Sequence, residues 1–133
     1  MAKQVAQAVL DFLAEQKTLT LATGGSEGLW AATLTYVNDG AELYVWMKPS
    51  STTAGRLDED PTVAFTIDSY SDDWRQTKGV QGRGKCKVVE GEGIAKVADL
   101  FGQKYPSLRP GSTSEYPAAM RCRCARGRRP APL

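Results

Sequence analysis

The chain of 133 residues contains no histidine. This absence removes the side chain that most often acts as a general base, as a triad partner or as a zinc ligand. Cysteine is scarce as well, because Cys86, Cys122 and Cys124 are the only three and the last two are separated by one residue. They do not resemble a disulfide framework, so we interpret them as incidental thiols in a reducing cytoplasm and predict no metal site.

Long apolar runs are also missing from the sequence. No stretch approaches the roughly 18 apolar residues that a membrane-spanning helix needs, and residues 1–4 lack the layout of a secretion signal. The glycine fingerprints of nucleotide-binding loops are absent too. We therefore predict a soluble, cytoplasmic protein that has no membrane partner.

Positive charge is concentrated at the C-terminal end. Residues 1–108 carry 11 Lys and Arg against 14 Asp and Glu, whereas residues 109–133 carry six Arg against one Glu. A nucleic-acid surface would need cations and aromatics interleaved on a folded face, and residues 1–108 show no such pattern. We predict no nucleic-acid partner, one folded domain over residues 1–108, and an irregular basic tail over 109–133.

Hydrophobic periodicity predicts a mainly β, α+β fold. Helical spacing marks residues 2–16 and 94–104, and a shorter helix is predicted over 54–59. Alternating segments predict strands over 18–23, 29–37 and 62–68. The hairpin turn at Asn38-Asp39-Gly40 predicts a returning strand over 43–47, and residues 74–89 are long enough for one extended strand. This order of elements predicts an antiparallel β-barrel with flanking helices.

The start of the short helix is the segment best suited to an anion. A helix N-terminus presents unpaired N–H groups and partial positive charge. Hydroxyls of Ser51, Thr52 and Thr53 would add donors, and Lys48 or Arg56 could add charge. The plainer alternative is that Ser51 only caps the helix. Trp74 follows an acidic loop and could lie against a flat ligand, although aromatic residues on strands, such as Trp30, Trp46 and Trp74, are usually core residues.

An ordered series of motifs resembles the pyridoxamine 5′-phosphate oxidase-like, FMN-binding split-barrel family over about residues 5–106. The motifs are TLTLAT at 18–23, EGLWAATLTY at 27–36, LYVW at 43–46, STTAGRL at 51–57, DPTVAF at 60–65 and DWRQTKGVQGRG at 73–84. The resemblance implies a split barrel that forms a homodimer and binds FMN at the subunit interface. It implies that the flavin phosphate is held at Ser51, Thr52 and Thr53. The cofactor would also lie along Thr33, Thr35, Trp46, Met47 and Lys48, and the partner subunit would contribute Trp74, Lys78 and Gln81.

The sequence departs from the family pattern at two places. Thr52 and Thr53 stand where basic residues are usual after Ser51, and the final barrel strand of relatives is replaced by an Arg, Cys and Pro-rich segment. True pyridoxamine-phosphate oxidases also hold substrate with Arg and His near the C-terminus, so that reaction is not predicted.

Three functions remain open at this point. The leading hypothesis is a flavin-dependent oxidoreductase that acts on a small redox substrate, in which the cofactor carries the redox chemistry. The second is a non-catalytic, stress-related protein that binds a flavin or a related phosphate ligand. The third is a barrel that has lost its ligand.

Overall fold

A computed structural model describes residues 6–106 and the backbone of residues 120–125. Its helices are α1 (Gln7–Glu15), α2 (Thr52–Glu59) and α3 (Gly93–Lys104). Its strands are β1 (Thr18–Thr23), β2 (Trp30–Asp39), β3 (Glu42–Met47), β4 (Thr62–Ser69), β5 (Lys78–Val88) and β6 (Met120–Ala125). All strand pairs are antiparallel, and they form a closed barrel in the order β1-β2-β3-β6-β5-β4. The predicted fold class, an antiparallel split β-barrel with flanking helices, is confirmed.

Two apolar clusters hold the barrel and its helices together. The larger cluster fills the barrel interior, where alternate residues of the strands meet α1 and α2. The smaller cluster lies outside the barrel, where α3 covers β2 and β3. It consists of Val37, Tyr44, Val97 and Phe101. Because strand side chains alternate between faces, β2 buries Tyr36 inside the barrel and Val37 beneath α3.

The β2–β3 hairpin has the predicted turn. Gly40 adopts a φ of 59°, the left-handed conformation that glycine tolerates best, and the Asn38 side-chain amide donates to the Gly40 carbonyl at 3.0 Å. The register beyond the turn pairs Asp39 with Glu42 and Val37 with Tyr44. This register places the outward residues Val37 and Tyr44 side by side under α3.

The segment predicted as one strand over 74–89 is divided in the structure. Trp74–Gln76 form one turn of 3₁₀-helix, and the strand begins only at Lys78. The Asp73 carboxylate accepts a hydrogen bond from the Arg75 amide at 3.2 Å, which favours a turn over extended backbone.

The C-terminal part also differs from the sequence prediction. Within the segment predicted as an irregular tail, Met120–Ala125 forms β6, which pairs with β3 and β5 and closes the barrel. The sequence MRCRCA alternates apolar and charged residues with the period of a strand, and the high arginine content masked this pattern. The rest of the predicted tail, residues 109–119 and 126–133, lies outside the described residues.

Cys86 is not an incidental thiol. It is 2% exposed within the barrel core, and its sulfur is disulfide-bonded. The backbone register pairs Cys86 with Cys124 across β5 and β6. Spacing along the sequence did not reveal this bond, because the barrel brings together cysteines that are far apart in the chain. Among the described residues, no helix is long and apolar enough to cross a membrane.

Candidate functional site

The start of α2 is arranged as a capped helix N-terminus. The Ser51 hydroxyl accepts a hydrogen bond from the Ala54 amide at 3.1 Å, and the Ser51 amide donates to the Lys48 carbonyl at 3.0 Å. The amides of Thr52 and Thr53 have no acceptor within the helix, because they belong to its first turn. Thr52 and Lys48 are exposed. The predicted capping role of Ser51 is thus present, and it leaves two amides at the helix start directed away from the helix.

Thr53 has a different environment from its neighbour. Its side chain is 4% exposed, and its hydroxyl oxygen accepts a hydrogen bond from the Trp30 indole at 3.2 Å. Trp30 itself is 41% exposed at the beginning of β2. The sequence did not associate these two residues, because no local pattern connects a strand indole with a helix hydroxyl 23 residues later. A carboxylate at position 53 would be buried, so Thr52 is the better position for a charge test.

Arg56 connects α2 to the β1–β2 hairpin. Its guanidinium donates to the Gly28 carbonyl at 3.0 Å and lies 3.6 Å from the Glu27 carboxylate. The Glu59 carboxylate accepts from the Ser26 amide at 2.8 Å, and hydrogen bonds from the Ser26 side chain and backbone hold the pKa of Glu59 below its usual value. The Arg56 side chain is only 12% exposed. Its charge therefore serves the hairpin, and Lys48 is the exposed cation near the start of α2.

A face of small polar residues covers the outside of four adjacent strands. The register aligns Thr33, Thr20, Thr66 and Gln81 in one row across β2, β1, β4 and β5. Thr20 and Thr33 share a hydroxyl contact of 3.4 Å. The next row consists of Ala31, Ala22, Ala64 and Arg83. We call these two rows the threonine face. Two of the predicted site residues, Thr33 and Gln81, belong to the threonine face. Thr35 lies two residues beyond Thr33 on β2, so its side chain is on the same side of the sheet.

Trp46 and Met47 have their side chains away from this face. Met47 is buried in the barrel core. Trp46 lies under α3, where its ring meets that of Phe101 edge-on at a centroid distance of 4.9 Å. A ligand near the start of α2 can therefore contact the backbone atoms of Trp46 and Met47 but not their side chains.

The predicted site residues lie towards opposite ends of the threonine face. Trp30 on β2 pairs with Thr23 on β1, and Thr23 pairs with Val63 at the start of β4. Lys78 on β5 pairs with Ser69, at the other end of β4. From Val63 to Ser69 a strand extends about 20 Å. Trp74 lies beyond Lys78 and is 80% exposed. Within one chain, Trp74 and Lys78 are thus far from Ser51, Thr52 and Thr53.

Comparisons with known proteins agree with this architecture. The family model described as pyridoxamine 5′-phosphate oxidase matches residues 5–120. A UPF0306 protein from Photorhabdus laumondii is 34% identical over 102 residues, which are 75% of this chain and 71% of that protein. Among solved structures, the haem storage protein HutZ from Vibrio cholerae superposes with a TM-score of 0.76 at 19% identity, covering 98% of this chain and 93% of that one. A conserved hypothetical protein from Mycobacterium tuberculosis gives a TM-score of 0.73 at 26% identity, covering 96% and 88%.

Proposed function

Because the chain belongs to the pyridoxamine 5′-phosphate oxidase family, we propose that it is a homodimeric FMN-binding protein that acts as a flavin-dependent oxidoreductase on a small molecule. The observation that carries this proposal is the exposed start of α2. There, two helix amides lack an acceptor within the helix, the Thr52 side chain is exposed, and the exposed Lys48 comes four residues earlier, a donor set that suits a phosphate.

The donor set fits a phosphate but offers it little charge. Hydrogen bonds that involve an ionised donor are roughly twice as strong as neutral ones. Threonines occupy positions 52 and 53, and Arg56 is held by Gly28 and Glu27. We therefore expect FMN to bind through amides and hydroxyls, with Lys48 as the main cation. We also expect its affinity to fall steeply when a negative charge is added at this helix start.

The threonine face supports the proposal of a dimer. Its centre consists of Thr, Ala and Gln side chains, which allow a second sheet or a flat ring to approach closely. Lys78 pairs with Ser69, about 20 Å along β4 from the level of Trp30, whose indole donates to Thr53. A second copy related by a two-fold axis would bring its own Trp74, Lys78 and Gln81 to the first copy's helix. The proposed site is then complete only in the dimer.

The protein's contribution to the reaction would be binding and orientation. FMN, when bound, supplies the redox chemistry. The polar side chains of the threonine face carry hydroxyl, amide and guanidinium groups, which can donate hydrogen bonds to a ring but do not titrate near neutral pH. Histidine is absent from the whole chain. We therefore propose a reaction without a protein side chain as proton relay, and not the oxidation of pyridoxamine phosphate.

Haem is the main competing ligand, because HutZ is named as a haem storage protein and has the same fold. A haem-binding role would require an iron ligand other than histidine, such as cysteine, methionine or tyrosine. The exposed aromatic residues Tyr70 and Trp74 could then serve a larger ring system. Absorbance spectra distinguish the two ligands, because flavin and haem have different visible bands.

The test is a fluorescence titration of the full chain with FMN, with riboflavin (which lacks the phosphate) and with haem. We expect FMN to bind more tightly than riboflavin. Thr52→Asp should weaken FMN at least about tenfold by like-charge repulsion and leave riboflavin unchanged, while the matched Thr52→Asn should retain FMN. Equal affinity of Thr52→Asp and Thr52→Asn for FMN would remove the α2 start from the site.

Turnover and assembly are tested separately. Bleaching of bound FMN by a reduced nicotinamide would support the oxidoreductase, whereas binding without turnover would favour the non-catalytic alternative. Light scattering should show a dimer for the wild type and a monomer for Ala64→Arg, which places a bulky charge on the threonine face. Ala95→Arg, on the exposed side of α3, is the control and should remain dimeric. A monomeric wild type at micromolar concentration would contradict the proposed shared site.

A further inference from the structure

A small pocket lies on the other side of the barrel, between the ends of α1, β2 and α3. Its volume is about 270 Å³, and it is lined by Ala14, Val37, Asn38, Leu100, Gln103 and Lys104. Its walls are thus apolar with two amide groups, and Lys104 supplies its charged group. The pocket lies outside the threonine face and the α2 start, and the proposed function does not use it.

The Lys104 amine is held among groups that do not neutralise it. Its Nζ lies 4.1 Å from the centre of the Tyr36 ring and 5.7 Å from that of Tyr105. It donates a long hydrogen bond of 3.4 Å to the Leu13 carbonyl at the end of α1. No ion pair among the described residues includes Lys104, whereas Lys96 on the same helix pairs with Asp39.

Burial disfavours the charged form of Lys104. Burial, and secondarily the charge of Lys17, lower the pKa of Lys104 from 10.5 to about 8. Burial also raises the pKa of Tyr105 to about 12 and moves that of Tyr36 upward, so both phenols stay uncharged at neutral pH. About a tenth of the Lys104 amines are then unprotonated at pH 7, against less than about a thousandth for an ordinary lysine.

We propose that Lys104 is an acylation site, at which the amine attacks the activated acyl carbon of a small acyl thioester or acyl phosphate. A C–N bond forms at Nζ and the acyl carbon–sulfur or carbon–oxygen bond breaks. The leaving group departs as a thiol or phosphate, and Nζ loses one proton. The reaction involves no oxidation or reduction, so it needs no electron donor or acceptor. The product is a neutral amide on the Lys104 side chain.

The pocket favours this product over the free amine. An amide removes a cation that is half-buried and faces Lys17, so it relieves both the desolvation and the like-charge repulsion. The acyl group can pack on the apolar wall formed by Val37 and Leu100. The Asn38 and Gln103 amides each donate one N–H, to Gly40 and Asp99, and each has a second N–H that can hydrogen-bond the acyl carbonyl oxygen. If Lys104 instead formed a Schiff base with an aldehyde, the protonated imine would still carry a positive charge in this half-buried position, so the pocket favours an amide.

The first test compares Lys104 with Lys96 on the same helix. The folded full chain is labelled with trace acetic anhydride, and separately with acetyl phosphate, at several pH values between about 6 and 11, and labelled peptides are quantified by mass spectrometry. We expect Lys104 to be labelled at least about tenfold faster than Lys96 near pH 7, with half-maximal labelling near pH 8. The pKa of Lys96 is raised by Asp39, so its labelling should rise only at higher pH. Equal rates at neutral pH would overturn the proposal.

A second test changes the charge of the pocket and leaves the lysine in place. Ala14 is exposed at the pocket wall, so Ala14→Glu and Ala14→Gln should both fold. The glutamate should pair with Lys104 and reduce its labelling near pH 7 at least about threefold, whereas the glutamine, of the same size, should not. An equal reduction by both variants would contradict the electrostatic basis of the proposal. Lys104→Arg should abolish the labelled peptide and leave labelling of Lys96 unchanged.

Discussion

Replacing Tyr105 with phenylalanine tests the junction that joins α3 to the first two strands. The Tyr105 hydroxyl lies 2.6 Å from the Tyr36 carbonyl and 2.8 Å from the Lys17 carbonyl. The Lys17 carbonyl also accepts from the Tyr36 amide, so it keeps a partner in the variant. The phenylalanine ring preserves the stacking on Phe101, at a centroid distance of 5.9 Å, so no cavity forms. The loss is therefore one part-buried hydrogen bond, about 1–2 kcal/mol.

Urea and thermal unfolding of Tyr105→Phe measure this loss. For a chain of this size it corresponds to a decrease in Tm of roughly 3–6 °C. Tyr70→Phe is the control, because Tyr70 is an exposed tyrosine, and its free energy of unfolding should change by less than about 0.5 kcal/mol. An unfolding free energy of Tyr105→Phe equal to that of the wild type at neutral pH would refute the role of this hydroxyl.

The pH dependence adds a second measurement for the same variant. Burial raises the pKa of Tyr105 from 10 to about 12, which means that the folded state favours the neutral phenol. The stabilisation is complete below pH 10 and is lost as the pH rises towards 12. The difference between wild type and Tyr105→Phe should shrink across that window. A difference that stays constant into this range would show that the hydroxyl does not titrate as its surroundings require.

Three further predictions follow from buried or capping groups. Phe101→Ala should lower the free energy of unfolding by about 3–5 kcal/mol in urea, because Phe101 is fully buried between α3 and the barrel; a loss below about 1 kcal/mol would contradict that packing. Ser51→Ala should cost about 1 kcal/mol through the lost cap to Ala54, with Ser50→Ala, at an exposed position outside the cap, as a neutral control. Lys104→Met should stabilise the chain at neutral pH by no more than about 1 kcal/mol. The pKa of Lys104 is lowered on folding, so between about pH 8 and 10.5 the wild-type amine loses its charge first in the folded state and then in the unfolded state, and urea melts should show the gain fading across this range. A gain independent of pH would contradict the burial of a charged amine.

Local pattern was sufficient to predict most of the barrel. The strands over residues 18–23 and 62–68 alternate apolar and polar residues, and 43–47 is an apolar run after a hairpin turn. The structure has all three within one residue of the predicted bounds. The helix predicted over 94–104 begins one residue earlier in the structure, at Gly93. In the two alternating strands the side-chain period and the burial pattern agree, so a single sequence is enough to predict them.

The features that sequence reasoning missed depend on contacts between distant residues. The Cys86 disulfide and the Trp30–Thr53 hydrogen bond join residues that only the closed barrel brings together. The role of Arg56 in holding the β1–β2 hairpin is of the same kind, since its partners lie 28 or 29 residues earlier in the chain. In the candidate site, the helix start and its cap could be predicted from local sequence, but the environment of each hydroxyl could not. The FMN contacts, the homodimer and the cytoplasmic localisation stay predictions.

The position of β6 between β3 and β5 has a consequence for how the protein is made. A ribosome completes the other five strands before it reaches residues 120–125. Until then β3 and β5 each have an edge of unpaired backbone groups, which is a template for pairing with other chains. Closure of the barrel therefore has to wait until residues 120–125 have been translated. Chains that are truncated or stalled before residue 120 should aggregate through these two edges, even though their apolar core residues are already present.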